Sequence, residues 1–172
     1  MKNTIYAALG TVILVSCATP EKPAATQAAL APGIDKCGGP GRFVVRGDTA
    51  VDTKTRLTWR RCAVGQVLNG GTSSCQGATY ATETMAKVKR AVEMEVAASK
   101  QPWRLPTIVE LSAIADKACE PLVRQVLPGM SGPPMWTSTS AGAGKIYQFD
   151  PAENKRIAEK ENDAPGIVIL VR

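Results

Sequence analysis

Four cysteines, Cys37, Cys62, Cys75 and Cys119, follow an N-terminal export signal, and they constrain the fold of this 172-residue chain more than any other feature. An even number of cysteines in an exported domain argues for two disulfides, for which three pairings exist. The segment CAVGQVLNGGTSSC, residues 62–75, is glycine-rich and holds the turn dipeptide Asn69-Gly70. A local Cys62–Cys75 bridge closing a hairpin-like loop is therefore the natural choice, which leaves Cys37 with Cys119. A loop of the shorter size contributes about 3 kcal/mol by restricting the unfolded chain, and the longer one somewhat more. A zinc site fails on ligands, because the chain has no CxxC pair and no histidine.

The export signal is the opening MKNTIYAALGTVILVSC. Lys2 is its basic start, residues 5–15 form an apolar run too short to span a membrane, and small residues precede a cysteine. Leu14-Val15-Ser16-Cys17 resembles the bacterial lipobox, so Cys17 is the expected lipidation site, carrying palmitate-type acyl chains, and residues 1–16 are the expected signal peptide. Several acyl chains together give stable anchoring. Ala18, where an aspartate would stand in an inner-membrane lipoprotein, favours an outer-membrane location, facing the periplasm or the cell surface. Residues 17–36 are rich in Ala, Pro and Thr with no apolar period, the composition of a flexible tether. The folded domain is expected over 37–172.

The chain is 44% hydrophobic and 21% charged, as a globular domain is, but only 5% aromatic, so Trp59, Trp103 and Trp136 are expected to dominate the core. Removing Lys2 with the leader leaves 20 basic residues against 15 acidic. That surplus suits an anionic polysaccharide or lipopolysaccharide phosphates. The absence of histidine removes the usual general base and every Ser-His or Cys-His nucleophile. No S-x-x-K motif stands in for them, and no two of Asp48, Asp52, Glu110, Asp116 and Asp150 are marked as a catalytic pair. The expectation is a noncatalytic protein without cofactor, metal or nucleic-acid partner. The tripeptide Arg46-Gly47-Asp48 reads as a turn beside a strand.

Along the domain, RFVVR at 42–46 suits a strand. A second run, residues 50–62, follows, with Val51, Leu57 and Trp59 expected inward and Arg60 and Arg61 on a solvated edge. Residues 79–99 place Met85, Val88, Val92 and Val96 at helical spacing, with Glu83–Lys87 and Lys89–Glu93 as i,i+4 pairs. Thr107-Ile108-Val109-Glu110 fits the capping box, so a second helix is expected from Ile108, with Leu111, Ile114 and Ala115 inward and an end before Pro121. Pro106 keeps Leu105 extended, which turns Trp103 and Leu105 one way and Arg104 the other. Arg104 then either pairs with a carboxylate or backbone carbonyls, or faces a ligand. The last third reads as strands at 136–139 and 145–149, a charged loop, and a central terminal strand at 167–171.

GDTAVDTKTRLTWRRC, the glycine-rich loop to Cys75, the helix, WRLPTIVEL, WTSTS and the terminal LVR occur here in one order. In this the chain, over residues 40–172, resembles the C-terminal domain family of the Legionella collagen-like adhesin. The resemblance implies an α+β, C-type-lectin-like fold: two helices with a mixed, mostly antiparallel sheet, the first and last strands paired, and a long loop region carrying ligand contacts. The calcium-binding runs Glu-Pro-Asn and Trp-Asn-Asp of lectin-like domains do not occur in the chain. The functional expectation is an envelope lipoprotein that binds a surface or host ligand, such as an anionic glycan, through Arg124, Lys145, Lys155, Arg156 and Lys160. The alternative is an accessory subunit docking onto a larger envelope complex. A third reading, an enzyme like the lectin-like relatives that oxidise a sulfatase cysteine, requires free cysteines.

Overall fold

The computed structural model describes residues 37, 39, 41–79, 84–160 and 165–172. The signal peptide, Cys17 and the tether lie outside these residues. The described chain is α+β, with three helices and three small antiparallel sheets. Strands β1 (Phe43–Arg46), β2 (Thr49–Asp52) and β3 (Thr58–Arg60) form the first sheet in sequence order. The hairpin β4 (Val67–Asn69) and β5 (Ser74–Gln76) follows, with Asn69 Oδ1 accepting from the Gly71 amide in its turn. Helix α1 (Met85–Ser99) leads to α2 (Ile108–Ile114) and α3 (Glu120–Val126). The third sheet is the meander β6 (Met135–Gly142), β7 (Lys145–Asp150) and β8 (Lys155–Lys160).

The terminal run 167–171 joins these parts. All five of its residues are fully buried, and they alternate between two cores as strand residues must. Ile167, Ile169 and Val171 enter a core with Trp59, Leu111, Ile114, Leu127 and Phe149. Val168 and Leu170 enter the other, beneath α1, with Val88, Trp103, Leu105 and Trp136. The backbone of the run bonds in several directions. Arg60 donates to Leu170 O at 2.9 Å, Val64 to Val168 O at 2.9 Å, and Trp136 to Ile167 O at 3.0 Å. Arg104 and Val171 exchange both of their bonds. The run is central in its burial, but it is not the expected strand: among the described residues it belongs to no sheet and makes only isolated bridges, to β3, Arg104 and β6, and a pairing of first and last strands is not found.

Other expectations change as well. There are three helices rather than two: α2 ends at Ile114, before Pro121 as expected, and Pro121 then lies in the first turn of a further helix, α3, where an amide has no helical acceptor to lose. The charged stretch taken for a loop is strand β8, pairing with β7 from Lys145↔Lys160 to Asp150↔Lys155. Val51 is only half-buried, and β2 turns Ala50 and Asp52 inward instead. Arg61 is not on a solvated edge. It is buried, donating from Nε to Val126 O at 2.8 Å and from Nη1 to Gly47 O at 3.1 Å. Arg60 is half-buried and pairs with Glu95 of α1.

Two disulfides, Cys62–Cys75 and Cys37–Cys119, tie this arrangement together. The first holds β5 to the segment after β3, and the second fixes the start of the domain to the end of the turn before α3. No free thiol remains among the described residues. Gly129 packs where nothing larger fits, since a Cβ there would lie 2.5 Å from the Ala63 amide nitrogen and 2.6 Å from Cys62 Cα.

Candidate functional site

Among the described residues, a groove of about 470 Å³ lies between α1 and β6. Its size is within the range of small-ligand sites. Met85, Val92, Leu105 and Ile146 supply apolar surface, and Lys89, Glu93, Arg104, Ser138 and Ser140 the polar groups. The helical spacing of Lys89 and Glu93 suggested an i,i+4 ion pair. No such pair forms between them, and both side chains are exposed at the lip.

Opposite them, Arg104 is set by WRLPTIVEL. Thr107 caps α2, its Oγ1 accepting from the Glu110 amide at 3.2 Å, while Glu110 Oε2 accepts from the Thr107 amide at 2.7 Å. The same carboxylate takes a two-pronged bond from Arg104, Nη2 to Oε1 at 2.7 Å and Nη1 to Oε2 at 2.9 Å. Arg104 Nη1 also reaches Leu105 O at 3.1 Å. Pro106 is buried, as are Trp103 and Leu105. The Arg172 guanidinium stacks 4.9 Å above the Trp103 ring. Of the two readings of Arg104, the structure shows the pairing with a carboxylate and a carbonyl, and its side chain is 45% exposed at the groove.

This pair has a pH signature. The bonded Arg104 guanidinium holds the Glu110 carboxyl below its ordinary range, partial burial opposes that, and the Thr107 bonds add to the lowering. Arg104 is raised by the same bond. A carboxylate with a depressed folded pKa stabilises above its unfolded value of about 4.3, and the contribution disappears as pH falls through the folded value. Glu110→Gln should therefore lower stability by about 0.5–1 kcal/mol near neutral pH, a modest figure because Arg104 is well exposed. The deficit should shrink as pH falls below about 4. Urea midpoints of both proteins across this range check it.

The residues expected to bind ligand do not converge. Arg124 lies on α3, paired with Glu120 at 2.6 Å, beside a hollow of about 90 Å³ that Pro151 and Ala152 also line. Lys155 and Arg156 open β8 rather than a loop, and Lys155 sits 4.0 Å from Glu153. Lys145 faces Lys160 in the ladder at the other end of the β7–β8 pair, about 17 Å away at ~3.4 Å per residue. Lys145 directly precedes Ile146 of the groove. Lys89, which sequence reasoning assigned only to a helix surface, is the basic groove residue it missed.

A family model described as the Lcl C-terminal domain matches residues 48–172. The chain belongs to the Lcl C-terminal domain family. No curated protein matches the chain. The matched stretch begins after β1, so in this Lcl domain Cys37 and β1 precede it, and the Cys37–Cys119 disulfide crosses its boundary. WRLPTIVEL, within the match, builds both the cap of α2 and one lip of the groove.

Proposed function

We propose that this chain is a noncatalytic, adhesin-related recognition lipoprotein, anchored through Cys17 at the outer membrane, whose C-type-lectin-like domain binds an anionic glycan in the groove between α1 and β6. The observation that carries this reading is the placement of Lys89 and the exposed side of Arg104 on opposite lips of an apolar-floored groove. Acidic groups of a sugar chain would bond to the cations while its C–H faces lie on Leu105 and Ile146. The adhesin in the family's background supports a surface role, and the basic surplus supports the sign of the ligand. Lys145, next to Ile146 in β7, falls on the opposite face of the strand and is not part of the groove lining. Arg124, Lys155 and Arg156 are too dispersed for the same ligand.

Sulfated oligosaccharide titrated into the detergent-solubilised chain should bind more weakly as salt rises. Lys89→Glu should weaken it about 10-fold or more, as loss of charge-assisted bonds does. Affinity indifferent to salt and to this reversal would sink the reading. The competing role, a subunit docking onto an envelope complex, draws on the exposed Val44 and Val45 of the edge strand β1. Stoichiometric co-purification of one partner, unchanged by Lys89→Glu, would favour that role.

A further inference from the structure

The groove between α1 and β6 carries less positive charge than its two cations suggest. Lys89 and Arg104 line it, but so does Glu93, one helical turn from Lys89 on the same lip. Glu110, clamped to Arg104, offsets the other cation. Two basic side chains therefore stand against two acidic ones. Such a groove gains from one acid group placed at its cations, whereas a second acid group nearby meets Glu93. A densely charged polymer, which a broad positive field would hold, suits it poorly. Its selectivity has to come from geometry instead.

Arg104 supplies that geometry. Its bonds to protein use Nη1 twice, to Glu110 Oε2 at 2.9 Å and Leu105 O at 3.1 Å, and Nη2 once, to Glu110 Oε1 at 2.7 Å. A guanidinium has five N–H donors in one plane. The remaining pair is Nε–H and the second Nη2–H, parallel donors on the side edge of the fork, and among the described residues neither has an acceptor. The plane itself is held. Glu110 is bonded in turn by the Thr107 amide, and the backbone of Arg104 exchanges both of its bonds with Val171. With its side chain 45% exposed at the groove, Arg104 offers a pre-oriented pair of donors that no described protein group uses. The partner that matches two parallel, coplanar donors is a carboxylate. A sulfate ester spreads its charge over three tetrahedral oxygens, and its binding depends more on the number of charges around it than on one planar fork.

We propose that the groove reads a sugar carboxylate, that of a hexuronate residue, through the side edge of Arg104, and that Glu93 selects against densely sulfated chains. The proposal rests on the groove being the ligand site and narrows its ligand to sparsely charged, uronate-containing glycans. One carboxylate oxygen accepts from Nε and the other from Nη2, while Lys89 on the other lip adds a longer-range attraction. Ring hydroxyls donate to the Glu93 carboxylate, and the C–H face of the pyranose lies on Leu105 and Ile146. Glu110 is then a positioning residue, which orients the fork without touching the ligand.

Calorimetric titration of the detergent-solubilised full chain with three tetramers tests this: α-1,4-linked galacturonate, its methyl ester, which keeps the shape without the charge, and sulfated maltotetraose. Galacturonate is expected to bind saturably, at least about 10-fold more tightly than the ester, and more tightly than the sulfated tetramer despite its lower charge. Arg104→Lys keeps the charge but removes the fork, so it should weaken galacturonate about 10-fold and the sulfated tetramer only about two-fold. Glu93→Gln should tighten the sulfated tetramer several-fold and galacturonate less, a gain that misfolding does not mimic. If Lys89→Glu leaves the sulfated tetramer unaffected, the groove reading fails and the proposal with it. If Lys89→Glu weakens that tetramer, the groove stands, and the proposal alone is overturned by any of three results: equal affinity for galacturonate and its ester, an Arg104→Lys variant that loses both acidic tetramers alike, or a Glu93→Gln variant with an unchanged preference.

Discussion

Replacing Asp52 by alanine is expected to cost about 3–5 kcal/mol, as breaking one side of a buried ion pair does. Asp52 is wholly buried, and its Oδ2 accepts from Arg42 Nη2 at 3.3 Å. Oδ1 accepts from Arg42 Nε at 3.4 Å and from the Lys54 amide at 3.0 Å. Without the carboxylate the Arg42 guanidinium stays buried with an uncompensated charge, because it is also held by Ala113 O at 3.0 Å and Cys37 O at 3.3 Å and cannot swing out without breaking those bonds. The pair therefore links β2, the start of the domain and the end of α2. A shift of the urea midpoint with an unchanged slope is the expected observation, since the folded state keeps its compactness. A loss under about 1 kcal/mol would show that Arg42 reaches water in the variant, as exposed pairs do.

Asp52 also shows why part of this fold was legible in the sequence and part was not. Features encoded locally were readable. The Thr107–Glu110 box, the stripe of Met85, Val88 and Val92, and the turn at Asn69-Gly70 each carry their signal within a few residues. What misled were residues whose role depends on distant partners. Asp52 and Arg61 look like surface residues until Arg42, Val126 and Gly47 are brought against them. Val51 is the largest apolar residue of its strand and so reads as inward, yet the strand turns Ala50 and the paired Asp52 to the core instead. Strand β8 hides in KRIAEK because an exposed edge strand tolerates charge, and lysine there discourages further pairing. Pro121 supports two local readings, stop or start, and the preceding turn Lys117–Cys119 decides for the start.

The sites followed the same division. WRLPTIVEL disclosed a cap and the opposite directions of Trp103 and Arg104, but not that Arg104 would face Lys89 across a groove, since that depends on where α1 rests. The basic residues of the last third shared only composition. Charge alone does not bring side chains together, and the β7–β8 ladder separates Lys145 from Lys155 by its own length.

Removing the long-range disulfide, with Cys37→Ser and Cys119→Ser together, should cost about 4–5 kcal/mol by the loop-closure relation, which for the local Cys62–Cys75 bridge gives about 3 kcal/mol. The difference arises from sequence separations of 82 and 13 residues. The long bridge also carries a second load. Cys37 and Cys119 are buried in the larger core, and Arg42, which neutralises Asp52, bonds to Cys37 O and points Nη1 to within 3.9 Å of Cys119 Sγ. Releasing Cys37 frees the segment that helps hold the guanidinium, so the double cysteine variant and Asp52→Ala should be coupled. Their combined loss should fall short of the sum by about 0.5–3 kcal/mol, the range found for residues sharing one network. Urea denaturation of the four proteins of this cycle measures the coupling. Strict additivity would mean that the bridge acts only on the unfolded chain, as entropy alone requires, and that Arg42 keeps its place without it.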